Sequence, residues 1–207
     1  KRISGSSFPF AISSILSIFL LRLDILLLNV MKGENTVGLY SPAQKLVSMI
    51  LLFSSAFTFA IYPAMSNISK NTMGKDYYLF IHSAKIMFLI GLFAAFFITI
   101  IAGPVIKIIF GSEYTVSARV LKILVWMCPP FFCASTIWVL FAVKNFQHWT
   151  TIVYLIGLPV NLGLNFYLIK KMSYFGSALA MVLFSFFILI ISFIIYYGNR
   201  KKLFNMW

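Results

Sequence analysis

Long apolar runs alternate with short polar breaks along this chain, and the runs have the length a bilayer demands. Leu46–Ser69, Ile86–Ile106, Ile123–Val143, Asn145–Ile169 and Met172–Asn199 contain no Asp, Glu, Lys or Arg. A sixth run, Phe8–Met31, is equally apolar but carries Arg22 and Asp24. A hydrocarbon core of about 30 Å takes roughly 20 residues of α-helix at 1.5 Å rise each. The bilayer interior offers no water to unpaired backbone groups, so such runs cross it as helices. The pattern predicts an all-α polytopic membrane protein with six transmembrane helices, forming a single bundle over residues 1–207.

The polar breaks place the expected spans at Phe8–Met31, Leu46–Asn67, Phe80–Ala102, Ala118–Ala142, Thr150–Ile169 and Ser177–Tyr197. Lys32–Thr36 reads as a polar turn, and Ser41-Pro42 as the start signal of the second helix. Ser66–Asp76 is the longest polar loop. Gly103-Pro104 is expected to end the third span, and Gly111–Thr115 breaks the pattern again. The intervening Val105–Phe110 is too short to cross and reads as a helix end or an interfacial turn. Pro129-Pro130 falls in the middle of the fourth span. Proline removes a backbone donor and clashes with the preceding turn, so a kink or a broken helix is expected there. It is tolerated where neighbours or a cavity satisfy the freed carbonyls.

Composition supports the membrane reading. Of 207 residues 61% are hydrophobic and only 10% charged, against about 25% charged in a soluble domain; the mean hydropathy is +0.97. Seventeen basic residues against four acidic ones leave a net charge of +13. In a soluble chain that excess would suggest nucleic acid. Here the basic residues punctuate apolar spans, so membrane phospholipids are the expected partner and nucleic acid is not. With six spans, the side holding both termini carries nine basic residues against seven on the other. That bias favours both termini in the cytoplasm.

Little here suggests catalysis. The acids are Asp24, Glu34, Asp76 and Glu113, and the histidines His82 and His148. They form no paired-carboxylate, metal-ligand or nucleophile motif, and there is no phosphate-binding glycine loop. No catalytic residue, metal or cofactor is expected, and the chain does not read as an enzyme. Both histidines fall at span edges, where a solvated side chain is expected. Cys128 and Cys133 are five residues apart in one span and read as small buried hydrophobes. The chain begins at Lys1 rather than Met, which suggests a piece of a longer protein.

Function is expected where polarity enters the membrane. An Arg or Asp at a helix centre costs about 2.5–3.5 kcal/mol on insertion scales. On a straight helix Asp24 would lie roughly 10 Å and Arg22 roughly 13 Å inside the boundary at Met31. At 100° per residue the two point about 160° apart, so they do not pair within the helix. Arg22 would share a face with Asn29, and Asp24 with Ser17 and Ser13. Two readings follow: one charge, Arg22 foremost, lines a substrate path, or both make structural ion pairs with other helices. In the fifth span Gly157, Asn161 and Asn165 recur at i, i+4 and i+8, a small-and-amide face for helix contact and hydrogen bonding, with substrate contact as the other role. Gly176, Ser177, Ala178 and Ala180 read as packing residues. Ser54, Ser55 and Thr58 can bond back to their own helix and carry no further weight.

Several segments, in order, resemble a known family. Arg22-Leu23-Asp24-Ile25-Leu26-Leu27 precedes Val37-Gly38-Leu39-Tyr40-Ser41-Pro42-Ala43, similar to an opening D-x-x-x-(aliphatic)…G-x-Y-x-x-A pattern. Tyr62-Pro63-Ala64-Met65-Ser66 follows, then Gly103–Tyr114, similar to P-x-I-x-x-(I/L)-x-F-G-x-x-Y. Asn161-Leu162-Gly163-Leu164-Asn165 and Gly176-Ser177-Ala178-Leu179-Ala180 close the series. Together they resemble the C-terminal half of a Wzx-type polysaccharide flippase, of the multidrug/oligosaccharidyl-lipid/polysaccharide exporter superfamily. The resemblance implies one lobe of a two-lobe exporter whose N-terminal helical lobe is missing here. It implies a lipid-linked oligosaccharide as partner, carried on undecaprenyl pyrophosphate across a bacterial inner membrane for O-antigen or capsule assembly. A cation in the central cavity would answer the pyrophosphate charge. A membrane-embedded polysaccharide polymerase and a drug exporter of the same superfamily are the alternatives. A polymerase would need a large outer loop, and the loops here are short.

Overall fold

The computed structural model describes residues 15–71 and 75–204, with side chains at all of these except 68–71, 75–76 and 201–202. The start of the first expected span at Phe8, and Ser13 within it, lie outside the described residues. Among the described residues there is no strand. A helical stretch at residues 15–20 leads into α1 (Leu23–Lys32), α2 (Glu34–Asn71), α3 (Lys75–Phe110), α4 (Thr115–Leu124), α5 (Cys128–Val143) and α6 (Gln147–Phe204). Four described stretches are long and apolar enough to cross a membrane: Glu34–Asn67, Tyr77–Phe110, Ser112–Val143 and Gln147–Arg200.

The last of these is folded back on itself. Ser173 has φ 52° and ψ −130°, a left-handed conformation that a serine keeps only where its surroundings impose it. Across the fold Asn165 meets Ser177, Asn161 meets Met181, and Gly157 faces Phe184 and Ile188. Partner numbers rise as residue numbers fall, the register of an antiparallel helical hairpin. Near its tip a Cβ on Gly176 would lie 2.0 Å from the Leu168 carbonyl oxygen, so only glycine fits. The small residues at 176–180 pack as expected.

The Ser112–Val143 span is broken where the prolines predict. A 3-10 turn at Val125–Met127 joins α4 to α5, and Pro129 and Pro130 occupy the first turn of α5. Proline is tolerated there because first-turn N–H groups have no intrahelical partner anyway. This broken span is the centre of the bundle. In its most apolar stretch 72% of residues are buried, against 11% for α2. α5 packs on α3 and α6; a Cβ on Gly91 would stand 2.8 Å from the Pro129 Cα. Small residues allow such close approach where lipid supplies no hydrophobic drive.

Other expected boundaries are corrected. The turn expected over Lys32–Thr36 reduces to Gly33, whose φ of 81° reverses the chain, and α2 starts at Glu34. Pro42, Pro63 and Pro104 lie inside helices, so neither Ser41-Pro42 nor Gly103-Pro104 is a boundary. In apolar surroundings the helix is the state that keeps the remaining backbone groups paired, so one lost bond does not end it. At Pro42 the Ser41 hydroxyl adds a 2.8 Å bond to the Val37 carbonyl. Val105–Phe110 is the end of α3, one of its two expected readings. The loop expected at Ser66–Asp76 is mostly helix, since α2 runs to Asn71 and α3 resumes at Lys75.

Candidate functional site

The first apolar run is not a straight helix. Residues 15–20 are helical, Leu21 and Arg22 form a turn, and α1 begins at Leu23. The Arg22 N–H bonds the Phe19 carbonyl at 3.0 Å, a tighter loop than the α-helical one. Gln44 on α2 supports this turn from outside. Its Nε2 donates to the Leu21 carbonyl at 3.1 Å, and its Oε1 accepts from Arg22 Nη1 at 3.1 Å. The break cancels the simple helical geometry that separated Arg22 from Asp24 and put Asp24 on one stripe with Ser17.

Arg22 is exposed and borders a cavity of about 240 Å³ together with Gln44, Ser48, Ser55, Met127 and Phe131. Its hydrogen-bonding partner is thus a neutral amide rather than a carboxylate. Asp24 borders the same cavity but has no exposed surface. Its Oδ2 accepts from the Tyr40 hydroxyl at 2.6 Å, while Oδ1 is buried with no hydrogen bond among the described residues. Buried carboxylates are stable only when paired or hydrogen-bonded, so the Tyr40 contact matters to the fold.

A polar chain continues from Tyr40 into the hairpin. Ser177 meets the Tyr40 hydroxyl and donates to Asn165 Oδ1 at 3.4 Å. Asn165 Nδ2 donates to the Asn161 carbonyl at 3.1 Å and to Asn161 Oδ1 at 2.6 Å. Asn161 Nδ2 reaches Met181 Sδ at 4.0 Å. Asp24, Tyr40, Ser177, Asn165 and Asn161 are all fully buried. The network fastens α1 to α2 and to both arms of α6.

Of the residues singled out in the sequence, the structure brings together Asp24, Asn161 and Asn165. Arg22 stands beside them on a separate branch through Gln44. Asn29 is exposed on α1 and borders neither the network nor the cavity. Sequence reasoning missed Tyr40, Gln44 and the bonding role of Ser177. Tyr40 and Ser177 lie within the segments that carry the family resemblance, and Gln44 is an amide two residues before the charge-free run that begins at Leu46. Those were the available signals. Ser54 also departs from expectation. Instead of bonding back it meets Ser135 Oγ on α5 at 2.9 Å, whereas Thr58 does bond the Ser55 carbonyl at 2.8 Å.

Comparison with known proteins adds an independent line. Residues 1–119 match the model of a family described as polysaccharide biosynthesis protein. Over 114 residues the chain is 30% identical to a Haloferax volcanii protein named "Probable low-salt glycan biosynthesis flippase Agl15". That alignment covers 55% of this chain and 24% of the other, so the chain matches about a quarter of the relative's length. No solved structure gives a significant match.

Proposed function

The chain belongs to the polysaccharide biosynthesis protein family, and from that premise we propose that it is one lobe of a flippase. The substrate is an undecaprenyl-pyrophosphate-linked oligosaccharide, moved across a bacterial inner membrane for O-antigen or capsule assembly. The observation that carries this reading is Arg22, held by buried Gln44 at the wall of a cavity inside an apolar span. A pyrophosphate crossing the bilayer needs a cation along its path, and in a low dielectric that attraction is strong. A guanidinium can also bind phosphate oxygens in a two-pronged fork. The Asp24–Tyr40–Ser177–Asn165 network serves as the rigid mount that keeps α1, and hence Arg22, in place.

The six crossings are the segment ending at Lys32, α2, α3, the α4–α5 pair and the two arms of α6. The polar face of α2 supports the two-lobe arrangement. This apolar helix is the least buried of the membrane-length stretches, and its cavity side carries Ser48, Ser55 and Thr58. A second helical lobe would cover that face and enclose the path between the two.

Both termini lie in the cytoplasm in this reading. Reporter fusions active only outside the cytoplasm should be active after Gly33 and Ser173 and silent after Met73 and Met206. The reverse pattern contradicts the orientation. Transport itself is tested in cells lacking the gene. Lipid-linked oligosaccharide should accumulate on the cytoplasmic leaflet, inaccessible to an added glycosidase. Accumulation of single repeat units on the outer leaflet would point to a polymerase.

A further inference from the structure

We propose that a second cavity, next to the Arg22 cavity, is the sugar-binding part of the path, with Phe59, Tyr62 and Trp138 as its recognition surface. The proposal rests on the flippase reading and assigns the other half of the substrate. The cavity has a volume of about 560 Å³, within the range of small-molecule sites. It is contiguous with the first, because Leu21, Ser55 and Phe131 border both. Gln44, Ser48, Ser55, Thr58 and Tyr62 recur three to seven residues apart on α2. They form one face about 27 Å long that runs along both cavities.

The lining combines two kinds of group. Phe59, Tyr62, Phe131, Trp138 and Tyr154 supply aromatic surface. Phe59 is 80% and Tyr62 43% exposed, so their ring surface is available to a ligand. Trp138 is held in place. Its Nε1 donates to Ser192 Oγ at 3.2 Å, with Phe131 edge-on at 5.5 Å and Tyr154 at 5.3 Å. The lining also includes the hydroxyls of Ser55, Thr58, Tyr62 and Ser135 and the amide of Gln147. Hydroxyls both donate and accept, and an amide presents one of each.

This chemistry suits a pyranose ring. A sugar offers C–H faces, which rest against the negative face of an aromatic ring, and a rim of hydroxyls that trade hydrogen bonds with Ser, Thr and Gln. Among the described residues no charged side chain lines the cavity, so a phosphate or a cationic drug finds no countercharge from them there. The Thr58 and Ser135 hydroxyls are already bonded within the protein, but a bare polyprenyl tail would offer nothing to the Ser55 and Tyr62 hydroxyls or the Gln147 amide. The order of the two cavities also matches the order of the substrate, in which the first sugar follows directly on the pyrophosphate.

The test measures binding by calorimetry to the purified protein as its gene encodes it. Two probes are used: inorganic pyrophosphate, and the glycosyl diphosphate released from the lipid intermediate of cells lacking the gene. The wild type should bind the glycosyl diphosphate at least tenfold more tightly than pyrophosphate. A Phe59→Leu/Tyr62→Leu protein keeps apolar bulk at exposed positions but loses the ring faces. It should lose that tenfold gain while keeping its affinity for pyrophosphate, which also shows that it is folded. Tyr62→Phe should keep most of the gain. A wild type that gains nothing from the sugars, or a double variant that retains the gain, overturns the sugar site. A wild type that binds neither probe counts against the flippase reading beneath it.

Discussion

Arg22→Ala should abolish surface polysaccharide in complementation while leaving the amount of protein in the membrane close to normal. The structure supplies the reason for expecting both halves of that result. Arg22 is exposed at a cavity wall and bonds a neutral amide, so its removal breaks no hydrogen bond to a carboxylate, and the buried Asp24 loses only a weak electrostatic contribution while keeping its Tyr40 bond. The cost to folding is one hydrogen bond, about 1 kcal/mol. Transport should lose the fixed cation proposed for its path. Arg22→Lys restores the charge without the planar fork and should recover partial activity. The neighbouring acid behaves the other way. Tyr40→Phe deprives the fully buried Asp24 of its 2.6 Å hydrogen bond. An unsatisfied charged group costs about 1–3 kcal/mol or more, so Tyr40→Phe should lower the protein level, as Asp24→Asn should to a smaller degree. Immunoblots read beside complementation separate the two. An Arg22→Ala protein as scarce as Tyr40→Phe shows a structural role, and an abundant, fully active one removes Arg22 from the path.

Gly176→Ala should all but eliminate folded protein. The added Cβ would stand 2.0 Å from the Leu168 carbonyl oxygen and 3.0 Å from the Ile169 nitrogen. Both are backbone atoms, so no side chain can swing aside. The hairpin must open, which breaks its packing and moves Ser177 off Tyr40 and Asn165. Overpacking in a tight core typically costs 1–3 kcal/mol, and a backbone clash stands at about 3 kcal/mol or above. Gly163→Ala is the internal control. It lies in the same helix with nothing within 4 Å of its Cβ, and alanine is the better helix former. Thermal unfolding of the two variants in detergent should show Gly163→Ala unchanged or slightly raised and Gly176→Ala strongly lowered. Equal stability of the two would contradict the close hairpin.

The membrane-length helices were legible because hydropathy over roughly 20 residues is a strong, local signal. The break before Pro129 was legible for the same reason, since proline acts on its own turn. The helix ends were not. Pro42 and Pro104 look like punctuation, yet the pressure to keep backbone groups paired carries the helix through them. The candidate site was legible in part. Arg22, Asp24, Asn161 and Asn165 stand out because polarity is rare in these spans. What joins them, Tyr40, Gln44 and Ser177, consists of residues that are ordinary in isolation. Their roles depend on contacts between residues 12 to 137 positions apart, which periodicity does not encode. The aromatic cavity stayed hidden for a related reason. Phe59 and Trp138 are inconspicuous in a chain that is 18% aromatic, and only the packing of α2 against α5 sets them beside the same hydroxyls.

The most direct test of the flippase account is leaflet exchange in vesicles. The protein as its gene encodes it is reconstituted with the cell's own undecaprenyl-pyrophosphate-linked oligosaccharide, and a glycosidase added outside reports how much substrate is exposed. The account predicts that substrate on the inner leaflet becomes accessible far faster than in protein-free vesicles, and that Arg22→Ala returns the rate to the protein-free value. Wild-type vesicles that exchange the lipid no faster than protein-free ones would contradict it.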